Sequence, residues 1–189
     1  MTDYIPISEL NDFIFCPYSI YLHNVYMESD DSVFKATPQI RGTAAHKSID
    51  TKTYSNRCDD LLALPVYSEE YGLMGKIDIY KKREKTLIER KYSLGQIFQG
   101  QIYQLWAQML CMIEMGYEVN SLFFYDTSRN KTIPVKMPSN TDLDNFKLFL
   151  DKFRSFDPLY SSFSININKC RHCVYCNLCD KTEEDNVYA

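Results

Sequence analysis

Gly72-Leu73-Met74-Gly75-Lys76-Ile77-Asp78-Ile79-Tyr80-Lys81-Lys82-Arg83-Glu84-Lys85-Thr86-Leu87-Ile88-Glu89-Arg90-Lys91 reads as two strands joined by a charged turn. Side chains alternate between the faces of a strand, so Glu89 and Lys91 point one way while Ile88 and Arg90 point the other. Pairing the strands as a hairpin brings Asp78 opposite Glu89 and Lys91. Two carboxylates and an ammonium converging at strand ends suit a hard divalent ion, with a cation left to hold a water or a phosphate. That equipment can hydrolyse a phosphodiester. Glu-x-Lys on a strand also forms plain cross-strand ion pairs, so the neighbouring sequence decides between the two.

The chain has 189 residues, of which 45% are hydrophobic and 14% aromatic, enough for one folded domain with a small appendage. A net charge of -4 excludes a global basic field. A nucleic-acid partner therefore has to be attracted by local basic clusters and bound metal. The start, Met1-Thr2-Asp3-Tyr4, has no basic and apolar leader, and no apolar run approaches the ~18 residues of a membrane span. We expect a soluble cytoplasmic protein, in which clustered cysteines hold metal rather than form disulfides.

Outward from the hairpin, residues 5-26 predict a helix capped near Ser8, broken at Cys16-Pro17, and then a second helix. Residues 27-40 read as a polar loop. Residues 42-45, Gly-Thr-Ala-Ala, are small and permit close backbone approach, with His46 projecting from the helix that follows. Val66 to Tyr71 predicts a strand that leads into the hairpin as a three-stranded meander. After Gly100, Ile102, Leu105, Trp106, Met109, Leu110 and Ile113 repeat at helical spacing as far as Gly116. Gln104 and Gln108 share a face of that helix, where their amides can meet a phosphate, a base edge or a metal-bound water. Residues 121-126 and 131-136 predict two strands about a polar turn, with Pro134 confining the second to a sheet edge. Thr141 and Asp144 suggest a capping box opening a helix whose core face is Leu143, Phe146, Phe149, Leu150 and Phe153. The expected architecture is α/β, a mixed central sheet flanked by helices.

Seven cysteines are present, and Cys170, Cys173, Cys176 and Cys179 fall within ten residues. Zinc ribbons separate their two Cys-x-x-Cys knuckles by ~15-20 residues, whereas closely spaced runs suit the wider corners of an iron-sulfur cubane. Two ligand sets fit: the four tail cysteines, or Cys170, Cys173 and Cys179 closed by Cys16 from the N-terminal helices. The second would clasp the two ends of the chain together.

Taken together these residues resemble the CRISPR-associated RecB-like exonucleases, a branch of the PD-(D/E)XK nucleases and the fourth core family of CRISPR-associated proteins. The likeness runs through Phe15-Cys16-Pro17, Gly42-Thr43-Ala44-Ala45-His46, Gly75-Lys76-Ile77-Asp78, Glu89-Arg90-Lys91, Gln104-Leu105-Trp106-Ala107-Gln108 and the tail cysteines. It implies a nuclease core over 27-156 and iron-sulfur segments at 1-26 and 157-189. The implied 4Fe-4S ligands are Cys16, Cys170, Cys173 and Cys179, with Cys176 spare. The substrate implied is DNA, cut on single strands or overhangs during prespacer trimming, and the implied partners are the CRISPR integrase and its small companion subunit. Tyr18-Ser19 stand where many relatives carry a basic residue, and Gln108 stands where RecB-like helicase nucleases carry tyrosine.

On this reading His46, Asp78, Glu89 and the carbonyl of Arg90 hold one Mn2+ or Mg2+, imidazole favouring manganese. Asp78, Glu89, Lys91 and Gln104 form the catalytic set. Lys76, Lys82, Arg83 and Gln108 are candidate DNA contacts. The rivals are a DNA-binding or assembly module with a structural metal, and a phage or repair nuclease of the same superfamily outside CRISPR.

Overall fold

The computed structural model describes residues 4-26 and 59-182. His46, the Gly42-Ala45 stretch and Cys58 lie outside them.

The chain begins with β1 (Ile5–Pro6), α1 (Glu9–Phe15) and α2 (Pro17–Tyr26), then continues with β2 (Asp60–Leu62), β3 (Pro65–Ser68), β4 (Leu73–Lys76), β5 (Ile79–Lys81) and β6 (Thr86–Lys91). After these come α3 (Gln99–Glu114), β7 (Ser121–Asp126), β8 (Lys131–Val135), α4 (Asn140–Ser155) and α5 (Ile167–Cys170). The strands form two mixed sheets, β1-β4-β3 and β2-β5-β6-β7-β8, flanked by helices. Pro134 lies in β8, an edge strand of the larger sheet, where its missing N–H costs no ladder bond.

The expected meander is corrected. Residues 72-81 do not form one strand, because β4 pairs with β3 in the small sheet and β5 pairs with β2 in the large one. Ile77-Asp78 form the bend between them. The partner strand bends at the same level, where Ala63 takes a left-handed φ of 50°. Ile77 N–H donates to the Leu64 carbonyl at 3.0 Å and Ala63 N–H to the Asp78 carbonyl at 3.1 Å, carrying the pairing through the corner. One long bent hairpin thus belongs to both sheets.

β6 is the buried strand of the large sheet, antiparallel to β5 and parallel to β7. The helix α3 makes the β6–β7 crossover and stacks Leu105, Ala107, Met109 and Met112 on the main core. On the other face of β6, Ile88 packs with Ile79 and Phe123, and the Arg90 guanidinium lies 5.8 Å from the Tyr125 ring centroid. The predicted alternation of residues 88-91 is therefore the observed one.

The first segment is less separate than the sequence suggests. β1 pairs with β4, and Ile5, Ile7 and Leu10 join the same core as α3, so a boundary at residue 26 would cut through one core. α1 lies directly on α3. A Cβ on Gly100 would fall 2.6 Å from Asn11 Oδ1 and 2.8 Å from Asn11 Cα. Gly100→Ala therefore destabilises the protein despite alanine's better helix propensity, by about 1-3 kcal/mol. The expected fall in Tm, roughly 2-4 °C per kcal/mol, is measured by thermal unfolding.

The helix α4 begins one cap earlier than expected. Ser139, not Thr141, is the N-cap, its hydroxyl accepting from Asp142 N–H while the Asp142 carboxylate accepts from Ser139 N–H. Phe146 and Leu150 are buried, and Phe149 and Phe153 reach the Phe13 ring of α1. No helix among the described residues is long and apolar enough to cross a membrane.

Candidate active site and cysteine cavity

The site forms where β5 leaves β6. Ile79 pairs with Ile88, and beyond that pair the Asp78 carboxylate takes over the ladder, its Oδ2 accepting from Arg90 N–H at 2.7 Å. Glu89 follows on the α3 side of the strand. Its Oε1 accepts from Gln104 Nε2 at 2.9 Å and faces Lys91 Nζ at 2.9 Å, and its Oε2 accepts from Gln108 Nε2 at 2.8 Å. Lys91 Nζ also donates to Gln104 Oε1 at 2.9 Å. The strand supplies the charges, and one face of α3 supplies the amides that aim them.

Asp78 is 5% exposed and Glu89 2%, whereas the Lys91 side chain keeps 22% of its surface. Burial pushes the Glu89 carboxyl up. Lys91 pulls it down and Asp78 adds to the upward push. A buried carboxylate pair with one ammonium beside it is short of positive charge. Gln108 adds a related demand: its Nε2 is committed to Glu89 Oε2 and, at 3.2 Å, to the Lys76 carbonyl, which leaves Oε1 buried without a hydrogen-bond partner. Hard oxygens short of cation suit Mg2+ or Mn2+ and its waters. Among the described residues no three His, Cys, Asp or Glu side chains form a ready single-ion site, and Asp78 and Glu89 provide two donors.

The candidate DNA contacts separate. Gln108 is 1% exposed, so it braces Glu89 instead of offering a surface to a strand. Arg83 pairs with Asp59 at 2.5 Å, Lys81 with Glu84 at 3.3 Å, and Lys85 with Glu118. Lys82 is exposed in the same turn. That turn lies at the opposite end of β6 from Lys91, roughly 17 Å away at strand rise, so neither Lys82 nor Arg83 lies beside the Asp78–Glu89 pair. Lys76 is exposed at the end of β4, beside the bend that carries Asp78.

Two acidic residues at this end of the fold escaped the sequence reading. Asp126, paired with Lys91 across β7, accepts from Leu94 N–H at 3.0 Å and from the Ser128 hydroxyl at 2.7 Å, fixing the chain that leaves Lys91. Burial pushes its carboxyl up, but these donors outweigh burial and hold it below the usual range. Asp12, on α1, lies within the electrostatic reach of Lys91 and His23. Neither belongs to a spaced motif, and both depend on long-range packing.

At the other side of α1, Cys16, Cys170, Cys173, Cys176 and Cys179 line one cavity of about 510 Å³. The tail is fastened there by Lys169 Nζ donating to the Ile14 carbonyl at 2.9 Å, Tyr18 OH to Asp180 at 2.6 Å, and a 2.6 Å His23–Tyr175 hydrogen bond. Five thiols lining one cavity are a donor set of the kind that holds a thiolate-bound metal group.

Fold and site together define a mixed α/β protein with a buried carboxylate pair, a lysine and two bracing amides. No protein-family model and no curated protein matches the chain. Among solved structures, that of SSO0001 superposes with a TM-score of 0.59 at 17% identity, over 94% of this chain and 86% of its own. At that identity the likeness concerns the fold alone.

Proposed function

We propose that this protein is a metal-dependent DNA nuclease of the PD-(D/E)XK type, RecB-like in its core, that hydrolyses phosphodiesters on single strands or overhangs. The supporting observation is the Lys91 ammonium, held between Glu89 Oε1 and Gln104 Oε1 at 2.9 Å each, on the same strand end as Asp78. Asp78 and Glu89 would hold the ion, joined by the Arg90 carbonyl and by His46 from outside the described residues. When bound, Mn2+ or Mg2+ polarises the phosphate and acidifies a water. Gln104 and Gln108 fix both Glu89 oxygens, and Gln104 aims Lys91. Lys91 orients the attacking water and offsets charge growing on the phosphate oxygens. Cys16 and the tail cysteines would hold a 4Fe-4S cluster as a structural clasp. The biological setting proposed is prespacer processing in CRISPR adaptation, beside the integrase and its small companion subunit.

The test is Mn2+-dependent shortening of end-labelled single-stranded DNA, run beside an absorbance spectrum of anaerobically purified protein. Metal-dependent cleavage and a broad band in the ~400 nm region are expected. DNA binding without cleavage would leave a binding module. Lys91→Ala should lower kcat by about 10²-10³-fold, the scale of losing one charge-stabilising donor. Its DNA affinity should stay close to wild type, and joint loss of binding and turnover would refute the assigned role.

A further inference from the structure

The end of the large sheet beside Lys91 is anionic. Asp78, Glu89 and Asp126 are buried there, and the Lys91 ammonium is committed to Glu89 and Gln104. A nucleic-acid strand carries a charge on every linkage, so at that end it has to meet a cation beyond the carboxylates. The turn between β7 and β8 supplies one.

β6 and β7 run parallel and end side by side, with Lys91 in register with Asp126. The carboxyl ends of parallel strands are where open α/β sheets take their ligands. Past that pair the turn stays tied to β6: Thr127 N–H donates to the Lys91 carbonyl and Ser128 N–H to the Tyr92 carbonyl, each at 2.9 Å. Leu122, Phe124 and Asp126 alternate as the buried face of β7, so Asp126 points to the α3 side, where Lys91 meets Gln104. The Asp126 carboxylate accepts from Leu94 N–H, Ser128 N–H, the Ser128 hydroxyl and Arg129 N–H. It thereby locks the turn to the loop that leaves Lys91, and its hydrogen bonds are met without the Arg129 side chain.

That side chain is anchored at one edge and open at the other. Its Nε lies 4.0 Å from Asp126 Oδ2, too long for a hydrogen bond, and its Nη1 donates to the Leu94 carbonyl at 3.4 Å. It remains 62% exposed. The anchored edge fixes where the guanidinium stands, and its other N–H groups form a fork that matches two oxygens of a phosphate. We propose that Arg129 holds a backbone phosphate of the substrate strand beside the scissile linkage. It touches no reacting atom and acts by positioning the strand across Lys91. The inference rests on the reading of this strand end as a nuclease site.

The test measures binding of a labelled single-stranded DNA by anisotropy, with Ca2+ in place of Mn2+ and over a salt series, and cleavage of the same strand with Mn2+. Arg129→Ala should weaken binding roughly tenfold, the scale of one hydrogen bond between charged groups. The slope of log K against log salt should become shallower by about 0.7, one phosphate contact on a single strand. KM should rise with the loss of affinity while kcat stays within roughly threefold, because binding lost equally from ground and transition states leaves turnover alone. Arg129→Lys should keep the slope and lose part of the affinity, since an ammonium cannot fork. Lys85→Ala removes an equal charge at the other end of β6 and should change neither. In strands carrying one neutral methylphosphonate, wild type should lose affinity at a linkage beside the scissile one, and Arg129→Ala should show no such loss there. Unchanged affinity and slope in Arg129→Ala, or a neutral linkage that weakens the variant as much as wild type at every position, overturns the proposal. So does a fall in kcat with KM unchanged, which would make Arg129 a brace for the strand end. A wild type that binds but does not cut ends the nuclease reading, and the linkage scan still decides the role of Arg129. A wild type that binds no single strand overturns both.

Discussion

Glu89→Gln should abolish metal-dependent cleavage, lowering kcat by at least about 10³-fold, while the protein stays folded. Glutamine has nearly the shape of glutamate, so Gln104, Gln108 and Lys91 keep a neighbour of the same size. What disappears is half of the buried negative charge. Asp78→Asn removes the other half and should behave alike, with the added cost of a weaker acceptor for Arg90 N–H, now 2.7 Å from Asp78 Oδ2. In wild type, Mn2+ should raise Tm by binding the native state, and both variants should lose that rise.

Stability gives this prediction a second, independent reading. Burial raises the Glu89 carboxyl above its unfolded value. A group shifted that way supports folding fully below its unfolded pKa, about 4.3, and loses that support as pH rises through the folded pKa. Wild type without metal should therefore lose stability across that window, while Glu89→Gln, which does not ionise there, should not. The Tm difference between variant and wild type should grow in the variant's favour from pH 4.5 towards 8, and Mn2+ should reverse it. A difference flat with pH would mean that Lys91 fully offsets the buried charge.

Which side chains of this strand share a face was legible in sequence because a period of two is local. Glu89 and Lys91 share a face whatever the rest of the chain does, and Pro134 marks an edge by lacking a donor. The bend at Asp78 was not legible. Residues 72-81 satisfy one strand's pattern, and the break is imposed from the partner strand, where Ala63 turns left-handed, and by the division into two sheets. The two-residue strand Ile5–Pro6 is set by parallel pairing with distant Leu73-Met74. Ser139 and Thr141 both offered a capping oxygen. Ser139 has the extended φ of -78° and ψ of 170° that a cap requires, whereas Thr141 is already helical. Spacing leaves two ways to complete the tail cysteines, and only the fold, by bringing the two ends of the chain together, puts Cys16 in their cavity.

If the cysteine cavity holds the proposed metal group, stripping it should lower Tm by roughly 8-16 °C, the equivalent of about 4 kcal/mol for a chain of this size. Cys16→Ser should do nearly the same. The reason lies in what α1 joins. At its C-terminus Cys16 faces the cavity and Ile14 accepts from Lys169; along its length Phe13 meets the rings of Phe149, Phe153 and Phe156. At its other side Asn11 presses on Gly100 of α3, and Ile7, just before the helix, lies 3.0 Å from where a Gly75 Cβ would be. A loosened clasp therefore frees the helix that seats α3, and α3 carries the amides that aim Glu89 and Lys91. Misplacing them by about an ångström can cost as much as 10²-fold in turnover. We expect at least a tenfold loss even well below the melting point. Hydrogen exchange should show faster exchange over residues 9-26 and 99-108 in the stripped protein, with β6 and β7 unchanged. If the stripped protein cuts at the wild-type rate at a temperature where it is folded, α1 holds α3 in place unaided, and the cavity serves stability alone.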